Sequence, residues 1–176
     1  MNAVDALREG LPVILPTDTV YGLCALPGYE EALYELKGRG RSKPVALLAA
    51  DIASLLDTVP GLDRELLERY LPGPYTLVLP SPAGGTVGVR VPDLPPEAAS
   101  VVRAVGVVCA TSANASGGPD PRRVEDVPEK IRAACGAIVD AGELPGVPST
   151  VLDLTGAEPR VLRTGARAPQ ASRRRR

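Results

Sequence analysis

Lys37-Gly38-Arg39-Gly40-Arg41-Ser42-Lys43-Pro44 places four cations and a hydroxyl within eight residues. Its two glycines carry no side chain to obstruct an anion. Arg presents a planar fork of donors that matches phosphate or carboxylate, and Lys adds a mobile point charge. Ahead of the run, Tyr29, Ala32, Leu33 and Leu36 fall on one face at helical spacing and predict a short helix over 29–36. Behind it, Val45-Ala46-Leu47-Leu48-Ala49 predicts a buried strand. The run then becomes a helix-to-strand loop held at both ends by core elements, where binding residues tend to sit. A solvated charged turn is the plainer reading of an isolated charge run. The rest of the chain decides between the two.

Outward from this loop, short strands alternate with short helices. Val4 to Glu9 predicts a helix end and Leu11 to Leu15 the first buried strand. Pro16-Thr17-Asp18-Thr19-Val20-Tyr21-Gly22-Leu23 follows it, rich in hydroxyls at a strand's carboxyl end, where open α/β sheets place ligands. Asp51 suits the cap of a helical turn, and Leu62, Leu66, Leu67 and Tyr70 mark a second helix that Pro72-Gly73-Pro74 stops. Thr76 to Leu79 reads as a strand, as does Thr86 to Pro92, where Val87, Val89 and Val91 share one face and Arg90 points to the other. A helix over Pro95 to Ala104 leads to a central strand, Gly106 to Ala110. That strand opens into Thr111-Ser112-Ala113-Asn114-Ala115-Ser116-Gly117-Gly118, a small polar loop able to approach a ligand closely. A helix over Pro128 to Cys135 and strands at Ala137 to Asp140, Pro148 to Leu154 and Pro159 to Arg163 complete the pattern. The expected fold is α/β: one domain over 1–165 with a twisted mixed sheet and flanking helices, followed by an Arg-rich tail over 166–176.

Composition narrows the chemistry. The 176 residues suit a single domain. With no His, Phe or Trp, the core must be built from Val, Leu, Ile and Ala, and Ser-His-Asp, Cys-His and His-ligated metal sites are excluded. Cys24, Cys109 and Cys135 are scattered among apolar segments, which reads as buried thiols in a reducing compartment. Without an apolar leader or a run near the ~20 residues of a membrane span, a cytoplasmic location and no membrane contact are expected. The tail holds five Arg and no acid, leaving 15 basic against 21 acidic residues in the body. Such a tail is expected to be disordered, and either a loose contact with RNA or compositional drift accounts for it.

The hydroxyl-rich and cationic segments share one logic. Lys37, Arg39, Arg41 and Lys43 can hold a polyphosphate, Ser112 and Asn114 can donate to the same group or to a base, and Thr19 and Ser149 can fix a small polar substrate. Arg90 reads equally as a solvated edge residue or a carboxylate clamp. There is no nucleophile–base pair, no Walker loop and no Gly-x-Gly-x-x-Gly after a strand. Transfer of a phosphoryl or nucleotidyl group by positioning and charge stabilisation remains open to such a site.

Pro16 to Leu23, Lys37-x-Arg39, Pro72-Gly73-Pro74-x-Thr76-Leu77, Thr86-Val87-x-Val89-Arg90-Val91-Pro92, Ser112-Ala113-Asn114-x-Ser116-Gly117 and Ser149 to Asp153 occur in that order. Together they resemble the YrdC-like threonylcarbamoyl-AMP synthases in their short form, from about Leu11 to Gly165. The resemblance implies a concave basic cleft in which ATP, L-threonine and bicarbonate or CO2 give threonylcarbamoyl-adenylate and pyrophosphate. It implies Mg²⁺ entering with ATP and no metal held by the protein. It further implies a downstream transferase complex that modifies the adenosine beside the anticodon of tRNA. Lys37, Arg39, Ser112 and Asn114 match the catalytic positions; Lys37, Arg39, Thr86, Ala110, Ser112 and Arg163 match nucleotide contacts, with Lys43 added beside them; Thr19, Arg90 and Ser149 match the threonine contacts.

This chain departs from the family pattern in three places. Gly40 stands where Pro often follows the Lys-x-Arg, Lys43 replaces Asn or Gly, and Leu48 falls where longer members place a threonine-contacting His. Two other functions are weighed against the synthase: a non-catalytic module of the same fold binding double-stranded RNA or tRNA, and a carbamoyl-adenylate former using another amine.

Overall fold

The computed structural model describes residues 1–38 and 40–168, so Arg39 and the tail residues 169–176 lie outside the description. The elements follow in the order α1 (Ala3–Arg8), β1 (Val13–Pro16), β2 (Tyr21–Ala25), α2 (Glu31–Lys37), β3 (Ala46–Ala49), α3 (Ile52–Thr58), α4 (Arg64–Glu68), β4 (Tyr75–Pro80) and β5 (Thr86–Arg90). Then come α5 (Pro96–Val105), β6 (Val107–Ser112), a 3-10 turn at Val124–Asp126, α6 (Glu129–Ala134), β7 (Ala137–Ile138), β8 (Thr150–Asp153) and β9 (Arg160–Arg163).

Among the described residues, nine strands join one mixed sheet in the order β7-β1-β2-β6-β3-β5-β4-β8-β9. β3 pairs parallel to β5 and β4 parallel to β8, while β4–β5, β2–β6, β3–β6 and β8–β9 are antiparallel. Strand side chains alternate between the two faces, and the two faces are covered differently. On one, Leu33 of α2 and Ile131 of α6 pack on Ile14, Leu23, Ala25 and Cys109. Leu55 of α3 and Leu67 of α4 pack on Leu77, Leu79, Val89 and Leu152, so four helices cover that face from β1 to β8, while the edge strand β9 is exposed. On the other, α1 and α5 bring Leu7 and Val102 onto Val13, Leu15, Cys24, Leu48, Val108 and Ala110. The strands beyond Leu48 on that side have no helix above them among the described residues. A bare half-sheet is the result, and the site lies there.

Several local expectations hold and two need correction. Asp51 caps α3 by accepting from the Ser54 N–H, and Pro96 opens α5 within its first turn. The stretch after β1 is not a loop throughout: Tyr21–Ala25 turns back to pair with β1, with only Thr17–Val20 in the turn. Lys37 belongs to the last turn of α2 rather than to the loop, and Gly38 ends the helix at φ 62°, a left-handed conformation that suits glycine. At the other end of the chain, residues 166–168 lie against the sheet. Ala166 donates its N–H to Pro148, and the Arg167 and Ala168 carbonyls accept from the Thr150 and Tyr75 hydroxyls.

Candidate functional site

A cavity of about 650 Å³ stands on the bare half-sheet. Its floor is low because the residues facing it there are small: Gly22 on β2, Ala46 on β3, Gly88 on β5 and Ala110 on β6. A Cβ built on Gly22 or Gly88 would come no nearer than 3.6 Å to another atom, an ordinary contact. Neither glycine is needed for chain geometry or packing, and their effect is to keep the floor flat.

At one end the Thr17–Val20 turn meets Arg90. Thr17 Oγ1 donates to the Val20 carbonyl (2.7 Å), accepts from the Thr19 and Val20 N–H groups, and lies 3.0 Å from Thr19 Oγ1. The turn is thereby locked with Thr19 aimed at β5, where Arg90 Nη2 donates to Thr19 Oγ1 at 3.3 Å. The same nitrogen is 3.4 Å from Asp18 Oδ1, and Asp18 Oδ2 accepts from the Asp93 N–H at 3.0 Å. Only 13% of the Arg90 side chain is exposed, and its Nε has no hydrogen-bond partner among the described residues. Burial lowers its pKa while Asp18 pulls it back up; a guanidinium stays charged regardless. Burial likewise raises the Asp18 carboxyl above its ordinary value, against the Asp93 N–H and Arg90. A buried cation with unused donor capacity is suited to a small carboxylate.

Next to Arg90, Thr76 Oγ1 and Ser149 Oγ are 2.7 Å apart. Arg163, reaching from the edge strand β9, donates Nε and Nη2 to the Ser149 carbonyl (3.0 and 2.9 Å) and Nη2 to Ser149 Oγ (3.0 Å).

The opposite wall is the end of β6. Lys37 is buried, 5% exposed, and its Nζ donates to the carbonyls of Ser112 (2.6 Å) and Asn114 (2.8 Å) and to Asn114 Oδ1 (2.8 Å). Ser112 Oγ also donates to Asn114 Oδ1 at 2.7 Å, and Asn114 Nδ2 donates to the Gly118 carbonyl at 2.7 Å. A buried ammonium is tolerable only with such a set of acceptors. Lys37 and Asn114 therefore stand behind the wall, and Ser112 forms its surface.

Thr19, Arg90, Ser149, Lys43, Thr86, Ala110, Ser112 and Arg163, eight of the residues singled out from sequence, line this one cavity. Lys37 and Asn114 join it indirectly through Ser112, and Arg39 lies outside the described residues. Arg41 turns away to pair with Glu31 on the surface. Among the described lining residues the ionisable side chains are Lys43, Arg90 and Arg163, all cationic, with no carboxylate. This donor set attracts anions and offers no oxygen cage to a hard divalent cation. No group of three or more His, Cys, Asp or Glu that could hold a metal ion exists among the described residues. Sequence reading passed over Asp18, Thr76, Gly22 and Gly88. Asp18 and Thr76 lay inside the quoted motifs, but nothing local signals a partner 72 or 73 residues away.

The Sua5/YciO/YrdC family model, described as telomere recombination, matches residues 5–165. A Mycobacterium tuberculosis protein is 39% identical over 182 residues, spanning 94% of this chain and 83% of the relative. The Bacillus subtilis protein named threonylcarbamoyl-AMP synthase is 39% identical over 182 residues, spanning 93% of this chain but only 52% of its own length. The solved structure of Pyrococcus abyssi Sua5 complexed with L-threonine superposes with a TM-score of 0.82 at 36% identity, over 93% of this chain and 53% of that one.

Proposed function

The chain belongs to the Sua5/YciO/YrdC family, and from that membership we propose that it is a threonylcarbamoyl-AMP synthase. Its substrates are ATP and L-threonine, with bicarbonate or CO2 supplying the carbamoyl carbon. The observation that carries the reading is the convergence of the two residue sets, Thr19, Arg90 and Ser149 on one side and Thr86, Ala110, Ser112 and Arg163 on the other, on one cationic cavity.

In this reading Arg90 pairs the threonine carboxylate with the donors it does not spend on Asp18 and Thr19, and Ser149 and Thr19 orient the rest of the amino acid. The neutral threonine amine adds to CO2 and loses a proton from nitrogen to solvent, giving a carbamate. A carbamate oxygen attacks the α-phosphorus of ATP, the bond to the β-phosphate oxygen breaks, and pyrophosphate leaves. Lys43, Arg163 and Arg39 neutralise the phosphates, charge stabilisation that is worth most in a dry site. Lys37 holds Ser112 and Asn114 in place, keeping the Ser112 hydroxyl at the nucleotide. Mg²⁺ is expected to arrive on the nucleotide, because the cavity wall offers it no carboxylate. The adenylate is then expected to pass to a transferase that modifies tRNA. We propose that any direct contact with tRNA runs through the Arg-rich tail, whose residues 169–176 lie outside the described part.

Pyrophosphate release tests the function. ATP, L-threonine and bicarbonate are supplied in all combinations, and release should require all three. Release with serine at the threonine rate would instead favour a broader amine specificity, consistent with Leu48 on the wall. Absence of release from every combination would leave the synthase reading without support.

A further inference from the structure

The Arg163–Ser149–Thr76 chain crosses the cavity wall from the sheet edge to the strand beside Arg90. The Ser149 hydroxyl has one proton and two acceptor positions. A guanidinium only donates, so Arg163 Nη2 at 3.0 Å takes one of those positions. Thr76, 2.7 Å away, decides the remainder. When Thr76 donates to Ser149, both acceptor positions are filled and the Ser149 proton is left for a ligand. When Ser149 donates to Thr76, Ser149 keeps one acceptor position and the Thr76 proton is left instead. Thr76, Ser149 and Arg163 all line the cavity, so either arrangement presents a defined hydrogen-bond pattern to what binds there.

We propose that this chain couples the two halves of the cavity, with Thr76 as its positioning residue. A nucleotide that draws Arg163 to its own oxygens returns an acceptor position to Ser149 and so changes what the Ser149–Thr76 pair offers the amino acid. The proposal rests on the reading that Ser149 contacts threonine and Arg163 contacts the nucleotide. By linkage the coupling is reciprocal: threonine alters nucleotide affinity by the same factor.

The test is titration of L-threonine into the full chain with and without α,β-methylene ATP, which cannot be cleaved at the reacting bond. Wild type, Thr76→Val and Thr76→Ser are compared. Valine keeps the β-branched shape and removes the hydroxyl; serine restores it. The nucleotide should shift the threonine Kd by about 5-fold or more in wild type. That factor should shrink to under about 2 in Thr76→Val and return in Thr76→Ser. No shift in wild type, or an undiminished one in Thr76→Val, overturns the proposal. Should Thr76→Val melt early, Arg163→Lys carries the same test, because an ammonium cannot reproduce the two-nitrogen contact; an undiminished shift there is equally fatal. Ser149→Ala separates the underlying reading: unchanged threonine affinity would remove Ser149 from the amino-acid site altogether. Lost threonine affinity there, beside undiminished coupling in Thr76→Val, would sink the coupling alone.

Discussion

The ammonium of Lys37, at the end of α2, lies 2.8 Å from both the carbonyl and the side-chain oxygen of Asn114, and so fastens a loop 77 residues further along the chain. Replacing it with Met keeps an unbranched side chain one atom shorter, removes the ammonium and strands those buried acceptors. Lys37→Met should lower the unfolding free energy by about 2 kcal/mol, read by urea denaturation. Adenylate formation should fall by about 100-fold as the Ser112 wall loosens. Full activity in a destabilised variant would make Lys37 a fastener with no part in the chemistry.

Asp18 gives a pH dependence. Its folded pKa is raised by burial, so ionising it costs stability as pH climbs from 3.8 through that higher value. On the acid side of the same value, protonation strips Arg90 of its partner. Threonine affinity should therefore decline on acidification at a pH above the ordinary carboxylate value. In Asp18→Asn that decline should vanish, with the threonine Kd about 10-fold weaker at pH 7. An acid limb that survives in Asp18→Asn belongs to another group.

Gly88 offers a cleaner steric experiment. A side chain there meets Ala46 Cβ at a comfortable 3.6 Å and then projects over the cavity floor. Gly88→Val should melt within a few degrees of wild type, and β-branching even suits a strand. Nucleotide binding should weaken by at least about 10-fold. Normal binding would place the ligand elsewhere in the cavity.

The cysteines should be inert. Burial pushes the Cys24 and Cys135 thiols up to about 12 and Cys109 up to about 11. At pH 8 only about one Cys24 thiol in 10⁴ is then ionised, and the thiolate is the reactive form. An aromatic disulfide reagent should label the folded protein slowly and the urea-unfolded protein at once, all three thiols together. Rapid labelling of one thiol in the folded state would show a local opening.

Much of this architecture was legible in the chain because apolar residues repeat with clear periods. Val87, Val89 and Val91 set Arg90 on the opposite face, and that face is the cavity. The β1–β2 hairpin was not legible, because its turn is Thr17-Asp18-Thr19-Val20, with none of the glycine or asparagine that marks a tight hairpin. Here a threonine hydroxyl replaces the usual turn chemistry. The burial of Lys37 was equally invisible: in a run of four cations nothing distinguishes the one that α2 carries inward. Gly22 and Gly88 matter for what they lack, and an absent side chain leaves no periodic trace. Thr76 and Asp18 act through residues that only the sheet brings near.

The bare half-sheet also sets a timetable. β4 gains its second neighbour only when β8 arrives, with Tyr75 opposite Thr150, and the wall carrying Ser149 and Arg163 is the last part of the site to emerge from the ribosome. A nascent chain that has reached Ser112 contains the six strands β1 to β6, which are neighbours in the finished sheet, but lacks the partner that covers the outer edge of β4, the kind of edge that invites mispairing. At that stage Arg90 and Ser112 are made, but Ser149 and Arg163, which close the other side of the cavity, are not. Substrate therefore grips in full only a chain that carries β8 and β9, and its stabilising effect is greatest there.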